Sequence, residues 1–396
     1  MLKRREKLRR QACLSALSVL AALGAMVAVA PAARAASTLV VPRDFSTIQA
    51  AVDAAASGDT VVVRAGTYTE QVVVSGKDVN LRGAGNGAAV IKAPATLTSY
   101  GVNQAQNNRP VSTLVRIAHG AHVRMTGFTV TGPVPCGPSG AGVSAMQDAV
   151  LDLSDSAVTD IHPDASCPAQ QAGGRGVVFG LPEFILVDGV GGSTASGRIS
   201  HVTIARYLQQ GINLGGPAGA ATPTKVAVAD NVISGGTPIP AVQTGIFVGE
   251  SAVATVTGNA VSDSVCSRPG CGPDPINDIQ SAGILVSGVS PGSTRVSGNH
   301  VAATDVGIYQ FASPNCCRIS DNTLTDNRFF GIVIQDGDGE TRGNMISGGR
   351  VGIGVVADAV NTTGTLRGDM ITGSTDAPVR EIQCCGFTAT AVVKPD

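Results

Sequence analysis

The chain has 396 residues, 50 of them Gly, with no Trp, 3% aromatics and 28 Lys/Arg against 29 Asp/Glu. Also rich in Val, Ile, Thr, Ser and Asn, it has the makeup of many short strands joined by tight turns, which excludes a mainly helical protein. No basic block stands outside the N-terminus, which argues against nucleic acid or an anionic membrane as partner.

Residues 1–35 read as an export signal. Lys3, Arg4, Arg5, Lys7, Arg9 and Arg10 form a basic segment, an apolar run follows from Ala12 to Ala30, and Ala33-Arg34-Ala35 gives the small-x-small pattern of a cleavage site. An uncleaved membrane anchor is the alternative; the Ala-rich run and the cleavage site favour removal. The segment carries seven Lys/Arg and one Glu, so its loss leaves 21 basic against 28 acidic side chains. The expected product is one secreted, extracellular, monomeric domain over 36–396, with an N-terminal cap at 36–60 and a C-terminal cap or tail at 372–396. It would have no membrane association after cleavage.

Phe45 to Ala55 reads as a short helix with a Ser46/Gln49 capping box and an apolar stripe of Ile48, Ala51, Val52 and Ala55. Gly58-Asp59 ends it, and Thr60-Val61-Val62-Val63 begins a strand. The helix is expected to plug the open apolar end of the fold.

Internal periodicity then dominates. A Gly followed by apolar alternation recurs at Gly211-Ile212, Gly245-Ile246, Gly283-Ile284, Gly307-Ile308, Gly331-Ile332 and Gly352-Ile353, the last four 24, 24 and 21 residues apart. In step with it, an Asn-centred unit recurs at Asn231, Asn259, Asn299, Asn322 and Asn344, and a degraded copy carries Asp369. Strands this short, without hairpin turns between them, imply an all-β solenoid. It is expected to be a single-stranded parallel β-helix of 21–24 residues per coil, in which each strand pairs with its equivalent one turn on. The Asn column is expected to form a structural ladder, with Asn itself taking the left-handed bend.

Removing Cys13 with the signal leaves Cys136, Cys167, Cys266, Cys271, Cys316, Cys317, Cys384 and Cys385, an even count that reads as disulfides in an oxidising compartment. Cys266 with Cys271 and Cys136 with Cys167 are the expected local pairs. The adjacent pairs Cys316-Cys317 and Cys384-Cys385 are expected to bond elsewhere, because a vicinal ring strains the intervening peptide.

The run from Asp44-Phe45-Ser46-Thr47-Ile48-Gln49 through Gly66-Thr67-Tyr68 to Val79-Asn80-Leu81-Arg82-Gly83-Ala84-Gly85 resembles the opening of pectin-lyase-like right-handed β-helix proteins, pectin methylesterases among them. The later Gly-Ile and Gly-Asn units resemble the generic parallel β-helix repeat. The resemblance spans about residues 40–375 and implies a right-handed parallel β-helix whose outer face binds or processes polysaccharide. The catalytic strings of pectin methylesterases and polygalacturonases are missing; the nearest segment, Ala118-His119-Gly120, lacks companion carboxylates.

Alternation places Asn213, Phe247, Leu285, Tyr309, Val333 and Gly354 on the outward row. Phe247 and Tyr309 are candidate stacking surfaces for sugar rings, with Arg206, Glu250, Gln335 and Asp336 as polar binding candidates beside them; covering loops are the alternative. Tyr207 and Asp305 are expected to flank the same groove. Asp160, His162 and Asp164, in the excursion bounded by Cys136 and Cys167, are the candidate catalytic acid/base group. Their order differs from the Asp-Pro-His-Asp string of alginate epimerases. Asp336, Asp338 and Glu340 on a Gly-rich turn are a weak Ca²⁺ candidate, a solvated turn being the other reading; otherwise no cofactor or metal is expected. Two functions stay open: a carbohydrate-active enzyme, or a non-catalytic module that binds glycan or protein.

Overall fold

Strands are stacked into three long sheets that wind in parallel. The first runs from Thr38–Val41 to Ala389–Lys394 and the second from Gly66–Thr69 to Met370–Thr372. The third has its parallel run from Arg109–Ala118 to Ala377–Gln383. The computed structural model describes residues 35–85, 87–164, 166–168, 173–236 and 241–394, and Ser37–Asp396 form one compact unit. The expected signal at 1–35 falls almost wholly outside the described residues. Among those described, no helix is long and apolar enough to cross a membrane.

One coil shows how the sequence dictates the winding. Thr244–Val248 lies in the third sheet, Ala252–Thr257 in the first and Ala260–Ser262 in the second. Ile246 pairs in register with Ile284, Val256 with Val296 and Val261 with Val301. All six side chains are buried, so identical positions form apolar columns along the axis. The Gly that stands second in the third-sheet strands from Arg175–Phe179 to Val351–Ala357 is required by space rather than by its dihedrals. A Cβ on Gly245 would stand 2.5 Å from the Gly283 carbonyl oxygen and 2.4 Å from Val261 Cγ1.

The Asn ladder is present and continuous. Asn231, Asn259, Asn299, Asn322 and Asn344 are each no more than 1% exposed. Each side-chain NH₂ donates to the Oδ1 of the next, at 2.9–3.0 Å, and Asn344 donates to Asp369 Oδ1 at 2.7 Å. The left-handed residue is not the Asn but the one before it: Asp230, Gly258, Gly298, Asp321, Gly343 and Gly368 all have positive φ. That residue makes the bend, which frees the Asn to turn inward and bond the stack.

The N-terminal helix spans Ile48–Ala54 and buries Ile48, Ala51 and Val52 in the main core, as the apolar stripe requires. Its cap differs from the expected box. Thr47, not Ser46, accepts from the Ala50 amide at 3.1 Å, and the Glu70 carboxylate accepts from the Ile48 and Gln49 amides at 3.0 and 2.9 Å. With those donors satisfied, Gln49 instead pairs with the Val73 backbone. At the other end, the described residues from 372 to 394 add a further coil: Ala377–Gln383 extends the third sheet and Ala389–Lys394 the first.

All eight cysteines of the described domain are paired. Cys136–Cys167 and Cys266–Cys271 form as expected, but Cys316–Cys317 and Cys384–Cys385 close on themselves. The winding explains this correction. Cys317 opens the first-sheet strand Cys317–Ser320, and the turn holding Cys384 and Cys385 lies three coils further on. At about 4.8 Å per coil that is roughly 14 Å, beyond the reach of a disulfide.

Candidate functional site beneath an antiparallel flap

The outward row of the third sheet stacks as alternation requires, through Asn213, Phe247, Leu285, Tyr309, Val333 and Gly354. Its two halves differ in cover. Toward the C-terminus, Val333 is fully buried and clusters with Phe330, Leu285, Tyr309 and Ile276, the last from the excursion that carries Cys266–Cys271. The Tyr309 hydroxyl donates to Gln335 Oε1, so these two side chains satisfy one another. Burial pushes the Tyr309 phenol well above its ordinary pKa. Here the excursion packs against the row and leaves Tyr309 and Leu285 half-buried.

Toward the N-terminus the row opens beneath a flap. Gly101–Asn103 pairs antiparallel with Arg109–Ala118, Leu181–Val187 pairs antiparallel with Gly101–Asn103, and Val190–Ser193 closes a hairpin on that strand. The flap backbones approach closely: a Cβ on Gly101 would fall 2.1 Å from the Leu186 carbonyl oxygen. Val111, Met146, Val178, Leu181, Ile185 and Val187 bury one another in an apolar cluster there.

Beside this cluster lies a cavity of about 300 Å³, lined among others by Asn103, Arg175, Gln210, Asn213, Phe247 and Glu250. Arg175 donates from Nε to Gln210 Oε1 at 2.7 Å and from Nη1 to Ser139 Oγ at 2.9 Å. No carboxylate among the described residues pairs with it. Although part of its surface still faces the cavity, protein surrounds the guanidinium, and burial pushes its pKa down to about 10. Asn103 is 3% exposed, and its Oδ1 has no hydrogen-bond partner among the described residues. Tyr100, also on the lining, shares a 2.8 Å hydrogen bond with Thr113 Oγ1, and burial raises its pKa. It therefore stays protonated near neutral pH and is no base there.

The sequence candidates scatter. Phe247 and Glu250 reach the cavity. Arg206 is instead locked in a two-pronged ion pair with Asp160, Nε to Oδ1 at 2.5 Å and Nη2 to Oδ2 at 2.7 Å, which holds the Asp160 carboxyl below its usual pKa. His162 stands 3.9 Å from that carboxylate and shares Nδ1 with the Pro163 carbonyl at 2.9 Å, while Asp164 is exposed. None of these lines the cavity, because the bend at Asp160 sits at the corner after a second-sheet strand. Tyr207 and Asp305 are interior at 1% and 0% exposure. Tyr207 shares a hydrogen bond with Ser264 Oγ; Asp305 accepts from the Cys266 and Ser281 amides and pairs with Arg328.

The Ca²⁺ candidates are each engaged singly. Asp336 Oδ1 accepts from the Asp358 and Ala359 amides, Asp338 from the Thr363 amide, and Glu340 pairs with Arg367 at 3.0 Å. Among the described residues, the only potential ligand atoms gathered in threes belong to Asp358, Cys384 and Cys385. The two sulfurs are joined in a disulfide and offer no thiolate.

Sequence reading missed Arg175 and Gln210, although a signal existed. Each immediately precedes the Gly of a third-sheet unit, Gly176-Val177-Val178-Phe179 and Gly211-Ile212-Asn213-Leu214, and they pair in register.

The fold is that of a right-handed parallel β-helix. Residues 185–365 match the family described as right handed beta helix region. The GH136 lacto-N-biosidase of Eubacterium ramulus is similar at 13% identity and TM-score 0.58, over 88% of this chain and 64% of that one. The chain thus spans less than two thirds of that enzyme's length. DFA-IIIase from Arthrobacter chlorophenolicus A6 is similar at 11% identity and TM-score 0.48, over 90% and 94% of the two chains. PfbA, a surface adhesin of Streptococcus pneumoniae, is similar at 11% and 0.45, over 89% and 93%. At such identities the likeness is one of fold. No curated protein matches the sequence.

Proposed function

We propose that this is an exported carbohydrate-binding β-helix that holds a segment of acidic polysaccharide in the cavity beneath the flap. Arg175 carries the reading: a buried guanidinium without a carboxylate partner has a strong electrostatic demand for an anion, and with Nε and Nη1 held by Gln210 and Ser139 its Nη2 is left to donate to a uronate carboxylate. Gln210, Asn213 and the open Asn103 oxygen supply hydrogen bonds for sugar hydroxyls, and Phe247 a stacking face. Four disulfides support a protein that works outside the reducing cytosol.

Binding is favoured over hydrolysis by the carboxylates present. Glu250 is the only carboxylate among the lining residues, whereas glycoside hydrolysis generally uses a pair. Processing by another route is the second reading, favoured by Glu250 and Arg175 sharing one cavity. The deciding experiment combines calorimetry on short oligouronates with an assay for new reducing ends and unsaturated uronates. Wild-type binding that Arg175→Gln abolishes, without product, supports a binding module; product lost with Glu250→Gln supports an enzyme. Oligouronate affinity unchanged by Arg175→Gln would refute the site.

A further inference from the structure

We infer that the outer face of the first sheet, over its last five coils, is a second carbohydrate site that takes a linear acidic polysaccharide laid along the helix axis. The observation is a file of cations in two neighbouring, offset columns. Arg295, Arg318, Arg342, Arg367 and Lys394 fall on five consecutive first-sheet strands, one per coil. Arg295 stands in register with Arg318, and Arg342 with Arg367 and then Lys394; between them Arg318 faces Glu340, and Arg342 lies two residues further along that strand. Neighbouring strands lie about 4.8 Å apart, so the file spans roughly 19 Å.

Such stacking opposes folding, because like charges directly across a sheet repel. The same face follows the opposite rule earlier in the chain. There Arg124 meets Asp152 at 3.8 Å, and Asp152 is in register with Arg198. The like-charge pairs at Arg295–Arg318 and Arg342–Arg367–Lys394 are not forced by overall charge either, since the chain carries a formal net charge of −1. Arg295, Arg318, Arg342 and Lys394 are exposed and Arg367 is half-buried. Glu340 is the one carboxylate in the file's own columns, and it is taken by Arg367. At the adjoining corner, Asp369 is occupied by Thr341 and Asn344, and Asp321 sits at the left-handed bend. Arg318 and Arg342 have no side-chain partner among the described residues.

The occupant follows from the spacing. One cation per coil, spaced along the axis by the coil rise, suits a polymer with one carboxylate or sulfate per sugar. A DNA strand carries phosphates about every 3.4 Å, out of step with the coils. An anionic membrane would call for charges spread over an area rather than in file. This site is separate from the Arg175 cavity, which lies on the third sheet, so the two stand or fall independently.

The test uses the full chain, polygalacturonate and heparin as polymers, and a uronate tetramer as a ligand short enough for the cavity alone. In Arg318→Glu/Arg342→Glu, polymer affinity should fall about tenfold or more and its salt dependence should flatten. Tetramer affinity should hold, and the melting temperature should stay the same or rise as repulsion is relieved. If the charge reversal unfolds the protein, Arg318→Gln/Arg342→Gln gives the same comparison with a smaller loss. Unchanged polymer affinity in a folded variant overturns the inference, as does duplex DNA or anionic-vesicle binding equal to that of the polymers and lost in the same variant. Polymer binding lost in Arg175→Gln but kept in the face variant also overturns it while leaving the cavity reading intact. Tetramer binding indifferent to Arg175→Gln, with polymer binding lost in the face variant, discards the cavity reading and keeps this one.

Discussion

Arg175 sits where a cation is costly. Its ordinary pKa of 12.5 falls to about 10 because burial disfavours the charged form. The folded protein therefore bears the charging cost at all pH values below about 10, and the cost is relieved as pH climbs from there toward the unfolded value. A bound anion offsets the same cost. Oligouronate affinity should be flat between pH 6 and 8 and decline as pH passes 10, a profile that calorimetry across that range checks. Asp160 behaves in the opposite sense. Its lowered pKa adds stability above its unfolded value of 3.8, which is lost as pH falls through the folded value. With Arg206 55% and Asp160 31% exposed, the pair contributes no more than about 1 kcal/mol. Asp160→Asn should thus shift the melting temperature slightly and leave ligand binding and any activity unchanged; a large loss of either would return this corner to the functional site.

At the scale of the element, the ladder is where polar groups matter most for stability. Asn299 accepts from Asn259 and donates to the Val256 carbonyl and to Asn322, all in the interior. Asn299→Ala leaves several of these groups unsatisfied at once and should cost about 3 kcal/mol, measured by urea denaturation. What the sequence discloses follows the same division. Columns such as Ile246, Ile284 and Ile308 are legible because stacking forces one residue type to recur at a fixed period. The ladder is legible for that reason too, although which residue takes the left-handed bend is not. The flap was hidden because Gly101–Asn103 and Leu181–Val187 belong to excursions about eighty residues apart that meet only once the coils are wound. The place of Arg175 before Gly176 was legible, but nothing local to that residue announces the roof above it.

At the scale of the whole molecule, the winding decides which distant residues can meet. Non-reducing peptide mapping should find Cys316 and Cys317 on one peptide with an internal disulfide, and likewise Cys384 and Cys385. A cross-link between the two groups would mean that the coils are misplaced along the axis. The separation of the acidic turn residues argues at the same scale: Asp336, Asp338 and Glu340 each serve a different backbone or Arg partner. Millimolar Ca²⁺ should therefore not raise the melting temperature, and a clear rise would call for a rearranged turn.

The ladder also has a direction, and its last member marks an end. Each Asn donates a hydrogen bond toward the C-terminal coil and accepts one from the coil before, so any interior rung must be able both to give and to take. Asp369 takes from the Asn344 backbone and side chain and from Thr341, and as a carboxylate it has nothing to hand on. It is a terminator written in hydrogen bonds. Lengthening this protein by duplicating coils is open on the N-terminal side of Asp369, where each new Asn finds a giver and a taker. Beyond it, the column would have to begin again.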